Sequence, residues 1–257
     1  MSGLALDSRR VSAGTLFFAL PGEKEDGGDF IAEAMARGAA CAVCEQPPEG
    51  ERPYILVPDA HKALALCAAV WYGTPAGKMT LVGVTGTNGK TTTTYLIKQI
   101  LERTRSARVG LIGTNQNLIG DKVVPTERTT PDALTVQRLL AQMADAGCAY
   151  AVMEVSSHAL MQSRVAGIHF RVGVFTNLTQ DHLDYHGTME AYCDAKARLF
   201  DQCGIACVNG DDPWTRRLLA RFAGERVTFG QGMTNDLVGW RARYENDCVR
   251  FTACTDL

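Results

Sequence analysis

The chain has 257 residues, 46% of them hydrophobic and 21% charged. That length suits one or two domains with a buried core, and the composition excludes collagen-like and disordered classes. With 26 Lys and Arg against 28 Asp and Glu the net charge is −2, which argues against a nucleic-acid binder, since such proteins carry a basic excess. The longest uninterrupted apolar run, residues 63–72, is too short for a bilayer, which needs about 20, so no membrane insertion is expected. Residues 1–10 show no apolar core followed by a small-residue cleavage site, so no secretion signal is read there. The nine cysteines are odd in number and do not read as a disulfide framework. Cys41-x-x-Cys44 and Cys203-x-x-x-Cys207 resemble half-sites for zinc without second halves, and plain core cysteines are expected instead.

In chain order, residues 15–20 read as a strand ending at Pro21-Gly22, and residues 30–37 as a helix stopped by Gly38. Residues 39–44 and 54–57 read as strands and 61–72 as an amphipathic helix. The Gly-Thr-Pro-Ala-Gly run at 73–77 breaks the pattern and sets the expected domain boundary, with one domain at 1–76 and another at 77–257. Beyond it, strands alternate with longer helices, the pattern of a mostly parallel sheet covered by helices. Strands are expected at 81–84, 109–112, 149–155, 172–175, 205–208 and 227–229. Helices are expected at 90–103, 131–146, 189–200 and 214–222, with a hairpin-like turn at Gly120-Asp121. The expected fold class is therefore α/β, a small N-terminal unit followed by a mostly parallel sheet flanked by helices.

Residues 81–94 read LVGVTGTNGKTTTT. A β-branched strand runs into Gly86-Thr87-Asn88-Gly89-Lys90-Thr91, and a helix follows. Glycines let the backbone turn its N–H groups around phosphate oxygens, and the helix N-terminus adds partial positive charge. Lys90 can reach the β- and γ-phosphates and the Thr91 hydroxyl can ligate Mg²⁺. The usual pattern has a glycine six residues before the lysine; here Val84 stands there and Gly86 lies four before Lys90.

Glu154 closes the strand 149–155, and the carboxyl end of such a strand is where open α/β sheets bind ligands. It reads either as a metal or reacting-group ligand or as a strand cap. His158 follows, to contact a phosphate or to pack locally. Residues 176–187, TNLTQDHLDYHG, put two histidines and two aspartates within six positions; such a loop suits a divalent cation, and is as often a plain loop. Lys196, on the helix 189–200, reads from pattern alone as a solvated lysine.

The segments GVTGTNGKTTTTYLI, TERTTPDA, AVMEVSSHALMQSRV and VFTNLTQDHLDYHGTMEAYCDAKARLF together resemble the Mur ligase family. Within it the chain looks most like the MurE type, which adds the third amino acid of the peptidoglycan stem peptide. LDSRRVSAGTLFFALPGEKEDGGDFI is similar to that family's UDP-sugar-binding domain. GTNGKTT is shared with other Mur ligases and folylpolyglutamate synthase, whereas EVSSHAL with Gln162-x-Arg164, and DHLDYHG, are more specific. The resemblance implies a bacterial cytoplasmic monomer whose partners are UDP-MurNAc-dipeptide and an amino acid, diaminopimelate or lysine, with ATP and Mg²⁺ as cofactors. It implies ATP contacts from Gly86, Thr87, Asn88, Gly89, Lys90, Thr91 and Thr92, with adenine at Asn177. Magnesium falls to Thr91, Glu154, His182 and Lys196, the last as a carbamate. Ser8 is implied for the uridine part, and Thr129, Thr130, Ser156, Gln162 and Arg164 for the sugar-dipeptide.

The family has three domains. The resemblance covers the first, starting some way in, and most of the second, so the chain is expected to be a fragment that lacks the amino-acid-binding third domain. The alternatives are a non-catalytic nucleotide- and UDP-sugar-binding remnant and a folylpolyglutamate-type ligase.

Overall fold

The computed structural model describes residues 1–22, 25–245 and 248–255. Strands β1 (Gly3–Ala5), β2 (Thr15–Phe18), β3 (Cys41–Cys44) and β4 (Tyr54–Leu56) form an all-parallel four-stranded sheet in that order. Helix α1 (Ile31–Ala36) lies on one face and α2 (Ala60–Trp71) on the other. The pleat explains the uniformly apolar Leu16-Phe17-Phe18. Phe17 and Ala42 meet Ile31 and Ala34 on one side, and Leu16, Phe18 and Val43 meet Leu64 and Ala65 on the other. A strand covered on both faces shows no alternation of polar and apolar residues. Cys44 is buried in the first of these clusters.

The second sheet is built from β5 (Thr80–Thr85), β6 (Val109–Ile112), β7 (Asn117–Ile119), β8 (Lys122–Val124), β9 (Tyr150–Glu154), β10 (Phe170–Phe175), β11 (Cys203–Asn209), β12 (Glu225–Gly230), β13 (Leu237–Glu245) and β14 (Cys248–Thr255). Its order is β14-β13-β12-β11-β10-β5-β9-β6-β7-β8. The strands from β6 to β13 in this order run parallel, and β7, β8 and β14 are antiparallel edges. The helices are α3 (Lys90–Arg105), α4 (Ala133–Asp145), α5 (Ser157–Met161), α6 (Leu183–His186), α7 (Met189–Ala197) and α8 (Thr215–Leu218). On one face, Ile97 and Leu101 of α3 cover Val82, Val84, Val109, Val152 and Val174. On the other, α4, α5 and α7 close a larger cluster around Leu139, Met153, Phe170, Phe175 and Leu199.

After β5 the chain turns toward β6 on one side of the sheet, and after β10 toward β11 on the other. β5 and β10 are nonetheless neighbours, with Thr85 opposite Phe175. Where connections diverge from adjacent parallel strands, a crevice opens beyond their carboxyl ends. The site below is built there.

Several expectations shift. The helix expected at 131–146 begins at Ala133, because Asp132 caps it with a carboxylate that accepts from Thr135 N–H at 2.9 Å. The helix expected at 189–200 leaves α-geometry at Ala197 and continues as a tighter turn at Phe200–Gln202, and that expected at 214–222 is α-helical only over Thr215–Leu218. β1 and the hairpin β13–β14 have no counterpart in the sequence reading. The turn at Gly120-Asp121 does join a hairpin, β7 to β8, with Gly120 at φ +61°.

Candidate functional site

The loop leaving β5 is held in shape by the loop leaving β10. Gly86 has φ +144°, and a Cβ there would overlap Thr176 Oγ1, so glycine is required for both conformation and space. Thr176 Oγ1 donates to Asn88 O at 2.7 Å. Asn177 uses both ends of its amide on Asn88: Nδ2 donates to the carbonyl at 3.1 Å, and Oδ1 accepts from the backbone N–H at 3.0 Å. Thr87 N–H donates to Asn177 O at 2.8 Å, and Thr87 Oγ1 accepts from Thr179 N–H at 3.0 Å. Gly89, at φ +82°, opens α3. Lys90 folds back over the loop, its Nζ donating to Gly86 O at 2.9 Å and Thr87 O at 2.8 Å. Burial lowers its pKa, opposed by the charges of Glu154 and Asp181. Thr92 lies exposed on the first turn of α3. The structure thus gathers residues 86–91 and Asn177, but with Asn177 clasping the loop rather than facing outward.

Glu154 ends β9 beside the loop and is completely buried. Its Oε2 accepts from Thr91 Oγ1 at 3.0 Å and lies 3.0 Å from Thr114 Oγ1; its Oε1 accepts from Thr114 N–H at 2.9 Å. The carboxylate needs room to sit so: a Cβ on Gly113 would lie 2.5 Å from Oε1. The sequence motifs do not point to Gly113 and Thr114. The available signal was a Gly-Thr step immediately after the apolar strand 109–112, at the same carboxyl edge as Glu154.

Lys196 overturns its pattern-based assignment to a solvated face. It is 1% exposed, because α7 turns Tyr192, Cys193, Ala195 and Lys196 inward. Its Nζ donates to Gly86 O at 2.9 Å and lies 4.4 Å from the centre of the Tyr192 ring. Burial, and then the charge of Lys90, bring its pKa down from 10.5 to about 7. Lys90 and Lys196 therefore share one carbonyl at the back of the loop.

Beside Tyr192 the histidines form a ring cluster. His186 stacks on Tyr192 at 4.9 Å and its Nε2 lies 2.9 Å from Ser157 Oγ; burial pushes its pKa down to about 4. His158 meets His182 edge-on at 4.9 Å and Tyr185 at 4.2 Å. His182 has φ +51°, stands 3.4 Å from Asp181 Oδ2, and keeps about half its side chain exposed. Among the described residues no hydrogen bond joins His182 to Glu154 or Lys196.

A polar wall adjoins Glu154. Thr130 Oγ1 donates to Glu154 O at 2.9 Å and accepts from Ser156 N–H at 3.0 Å. Arg164 donates from Nη1 to Thr130 O at 2.7 Å and from Nη2 to Gln162 Oε1 at 2.6 Å. Thr129 Oγ1 lies 3.1 Å from Thr114 Oγ1. These five residues are one cluster. Ser8 stands apart in the four-stranded unit: its Oγ donates to Glu33 Oε2 at 2.8 Å, and it lines a cleft of about 450 Å³ with Arg9 and Phe30. Between the two units a further cleft, about 520 Å³, is lined by Arg10, Arg128, Arg138 and Asn117.

Residues 1–72 match the family described as "Mur ligase family, catalytic domain", and residues 84–256 match "Mur ligase middle domain". A UDP-N-acetylmuramoyl-L-alanyl-D-glutamate–2,6-diaminopimelate ligase of Geobacillus kaustophilus (strain HTA426) is 47% identical over 261 aligned residues, covering 98% of this chain and 53% of that protein. The protein of that description from Gloeobacter violaceus (strain ATCC 29082 / PCC 7421) is 50% identical over 228, covering 86% and 46%. A solved structure of a ligase so described superposes with a TM-score of 0.85 at 31% identity, covering 99% of this chain and 53% of that one. The chain spans about half the length of these relatives.

Proposed function

Because the chain belongs to the Mur ligase family, we propose that its residues carry the carboxylate-activating half of an ATP-dependent amide ligation, in which UDP-MurNAc-L-Ala-D-Glu receives diaminopimelate. The observation that carries this reading is the buried Glu154, fixed by Thr91 and Thr114 beside a glycine loop with two lysines behind it. The choice of diaminopimelate over lysine rests on the relatives' names. Residues 1–76 are assigned to the UDP-sugar and residues 77–257 to the nucleotide, in a bacterial cytoplasmic monomer.

In the first step a substrate carboxylate oxygen bonds to the γ-phosphorus of ATP, the bond to the bridging oxygen breaks, and ADP leaves. In the second the amine nitrogen bonds to the acyl carbon, phosphate leaves, and the amine gives up a proton. Two anions must approach in the first step, so positive charge at the loop is the main requirement. Gly86 and Gly89 offer backbone N–H groups, while those of Thr87 and Asn88 are engaged by Asn177 and fix the loop's shape; Thr92 adds a hydroxyl, and Lys90 moves from the Gly86 and Thr87 carbonyls to the phosphates. Asn177 serves by holding the loop and is assigned the adenine edge. The hard oxygen donors Thr91 and Glu154 fit Mg²⁺, with His182 and a carbamate on Lys196 completing the set. Magnesium bound there would neutralise phosphate charge. A lysine amine that is half neutral near pH 7 is able to add CO₂, its nitrogen bonding to the carbon and giving up a proton to solvent, and so become an anionic oxygen ligand.

The wall of Thr129, Thr130, Ser156, Gln162 and Arg164 is assigned to the sugar-dipeptide, where Arg164 suits a carboxylate. The clefts at Ser8 and at Arg10, Arg128 and Arg138 are assigned to the uridine and diphosphate. The test is to supply ATP, Mg²⁺, UDP-MurNAc-L-Ala-D-Glu and hydroxylamine and to seek the glutamyl hydroxamate by mass spectrometry. Hydroxamate that depends on ATP and on Glu154 is expected. Absence of both ATP binding and hydroxamate would overturn the reading.

A further inference from the structure

Tyr192, 1% exposed, is the bulkiest of the fully buried side chains among the described residues. It stands one turn before Lys196 on α7. Phenylalanine would serve the packing equally well, as Phe170 and Phe175 do in the same cluster. The phenol needs its own reason, because a buried hydroxyl without a partner is costly and a buried tyrosine usually finds one.

The Tyr192 oxygen lies 3.3 Å from Thr87 Oγ1 in the phosphate loop. Proton counting gives the direction. Thr87 Oγ1 donates its single proton to Thr179 O at 3.2 Å and accepts from Thr179 N–H at 3.0 Å. One lone pair is left for the phenol, so Tyr192 donates and Thr87 accepts. The ring of the same residue meets the groups behind the loop. Lys196 Nζ lies 4.4 Å from its centre, within cation–π range, and His186 stacks on it at 4.9 Å. Lys196 in turn donates to Gly86 O, and Thr87 N–H donates to Asn177 O. The Gly86–Thr87 peptide is therefore held at its carbonyl by Lys196, at its N–H by Asn177, and at the Thr87 side chain by Tyr192. Lys90 also bonds the Gly86 and Thr87 carbonyls, but it must leave both to reach a phosphate.

We propose that Tyr192 is a positioning residue: with its hydroxyl on Thr87 and its ring against Lys196, it keeps the Gly86–Thr87 peptide in shape when Lys90 swings away to the nucleotide. This rests on the nucleotide reading of the loop given above. In the free protein Lys90 helps to hold the same peptide, so losing the phenol costs little. With Lys90 on a phosphate, a slackened loop has to be ordered at the expense of binding.

The probe is the non-hydrolysable ATP analogue AMPPCP with Mg²⁺, titrated by calorimetry into the parent, Tyr192→Phe, Thr87→Val and the double variant. Tyr192→Phe keeps the ring and should bind about fivefold more weakly, the usual worth of one hydrogen bond. In the Thr87→Val background, where the phenol has no acceptor, the same change should cost nothing further, whereas a packing effect would repeat in both backgrounds. Equal affinity of parent and Tyr192→Phe, or an equal loss in both backgrounds, would overturn the proposal and leave the nucleotide reading intact. A parent that binds no AMPPCP would overturn that reading and this inference with it. Should Thr87→Val bind too weakly to measure, exchange of the Thr179 amide, which donates to the same hydroxyl, reads the bond without nucleotide. It should quicken in Tyr192→Phe, and unchanged exchange would overturn the proposal. The ring contact has its own signature in the free protein. The ε-methylene protons of Lys196, assigned by their loss in Lys196→Met, should carry a ring-current shift in the parent and in Tyr192→Phe and lose it in Tyr192→Leu; absence of that shift in the parent would refute the contact with the ring.

Discussion

Replacing Lys196 by methionine removes a charge that the fold disfavours and keeps the stem that fills the space. Burial and the neighbouring Lys90 bring this amine from 10.5 to about 7, and each pH unit corresponds to about 1.4 kcal/mol. At pH 7 the folded chain therefore carries a penalty of roughly 4 kcal/mol relative to alkaline pH. The sign follows from proton count: between about pH 7 and 10.5 the unfolded chain holds a proton that the folded one has released, so stability rises with pH across that window. The amine also donates to Gly86 O, a hydrogen bond worth about 1 kcal/mol. Lys196→Met should thus be more stable than the parent at pH 7, by about 2–3 kcal/mol, and the advantage should vanish by about pH 10. Urea denaturation in bicarbonate-free buffer, run on both proteins from pH 7 to 10, measures the difference while cancelling the other titrating groups. A variant less stable at pH 7, with a gap that does not change with pH, would refute the argument that Lys196 is a desolvated amine.

Lys90→Ala should abolish ATP binding by calorimetry and leave Tm nearly unchanged, since in the free protein Lys90 bonds only loop carbonyls. Thr114→Val deletes one of the groups orienting Glu154 and should weaken Mn²⁺ binding about 10–100-fold by EPR titration, the usual cost of losing a group that positions a metal ligand. Gly86→Ala meets both a positive φ and the Thr176 hydroxyl; a Tm loss equivalent to more than about 1 kcal/mol is expected, with nucleotide affinity lost as well. His186 should titrate near 4 by NMR; because this lies below the ordinary 6.5, its contribution to stability is lost as pH falls from 6.5 toward 4.

Legibility of the fold followed the local signals. Residues 81–84, 109–112 and 149–155 read as strands because they are apolar but for Glu154, bounded by turns, and separated by helices with caps such as Asp132. β13 and β14 were not readable. Their faces are largely exposed and carry Arg241, Arg243 and Arg250 between Trp240, Tyr244 and Phe251, so no buried face imposes a period of two. Their register even shifts between Trp240 and Arg243, where Arg241 takes φ +54°. Nothing local marks such a bulge. The helix 189–200 was found but its inward face was not, because its inward face carries Lys196 and its hydrophobic stripe is consequently weak.

The site divides along the same line. Gly86 to Thr91 and Glu154 were legible because each sits at a strand end, where position alone supplies the argument. Thr114, Tyr192 and the inward turn of Lys196 were not, because their roles arise from contacts made across the sheet. Asn177 shows how far this matters. Its amide is spent on Asn88, and Thr176 and Thr179 add further bonds to the same loop. The loop is therefore shaped before any phosphate arrives, by hydrogen bonds from the neighbouring strand's exit. On the proposed function, a nucleotide entering here meets a loop already shaped and draws Lys90 off two carbonyls. Preformed donors lose less ordering entropy on binding, which is the physical reason for such a polar connection between two adjacent loops at the sheet's point of divergence.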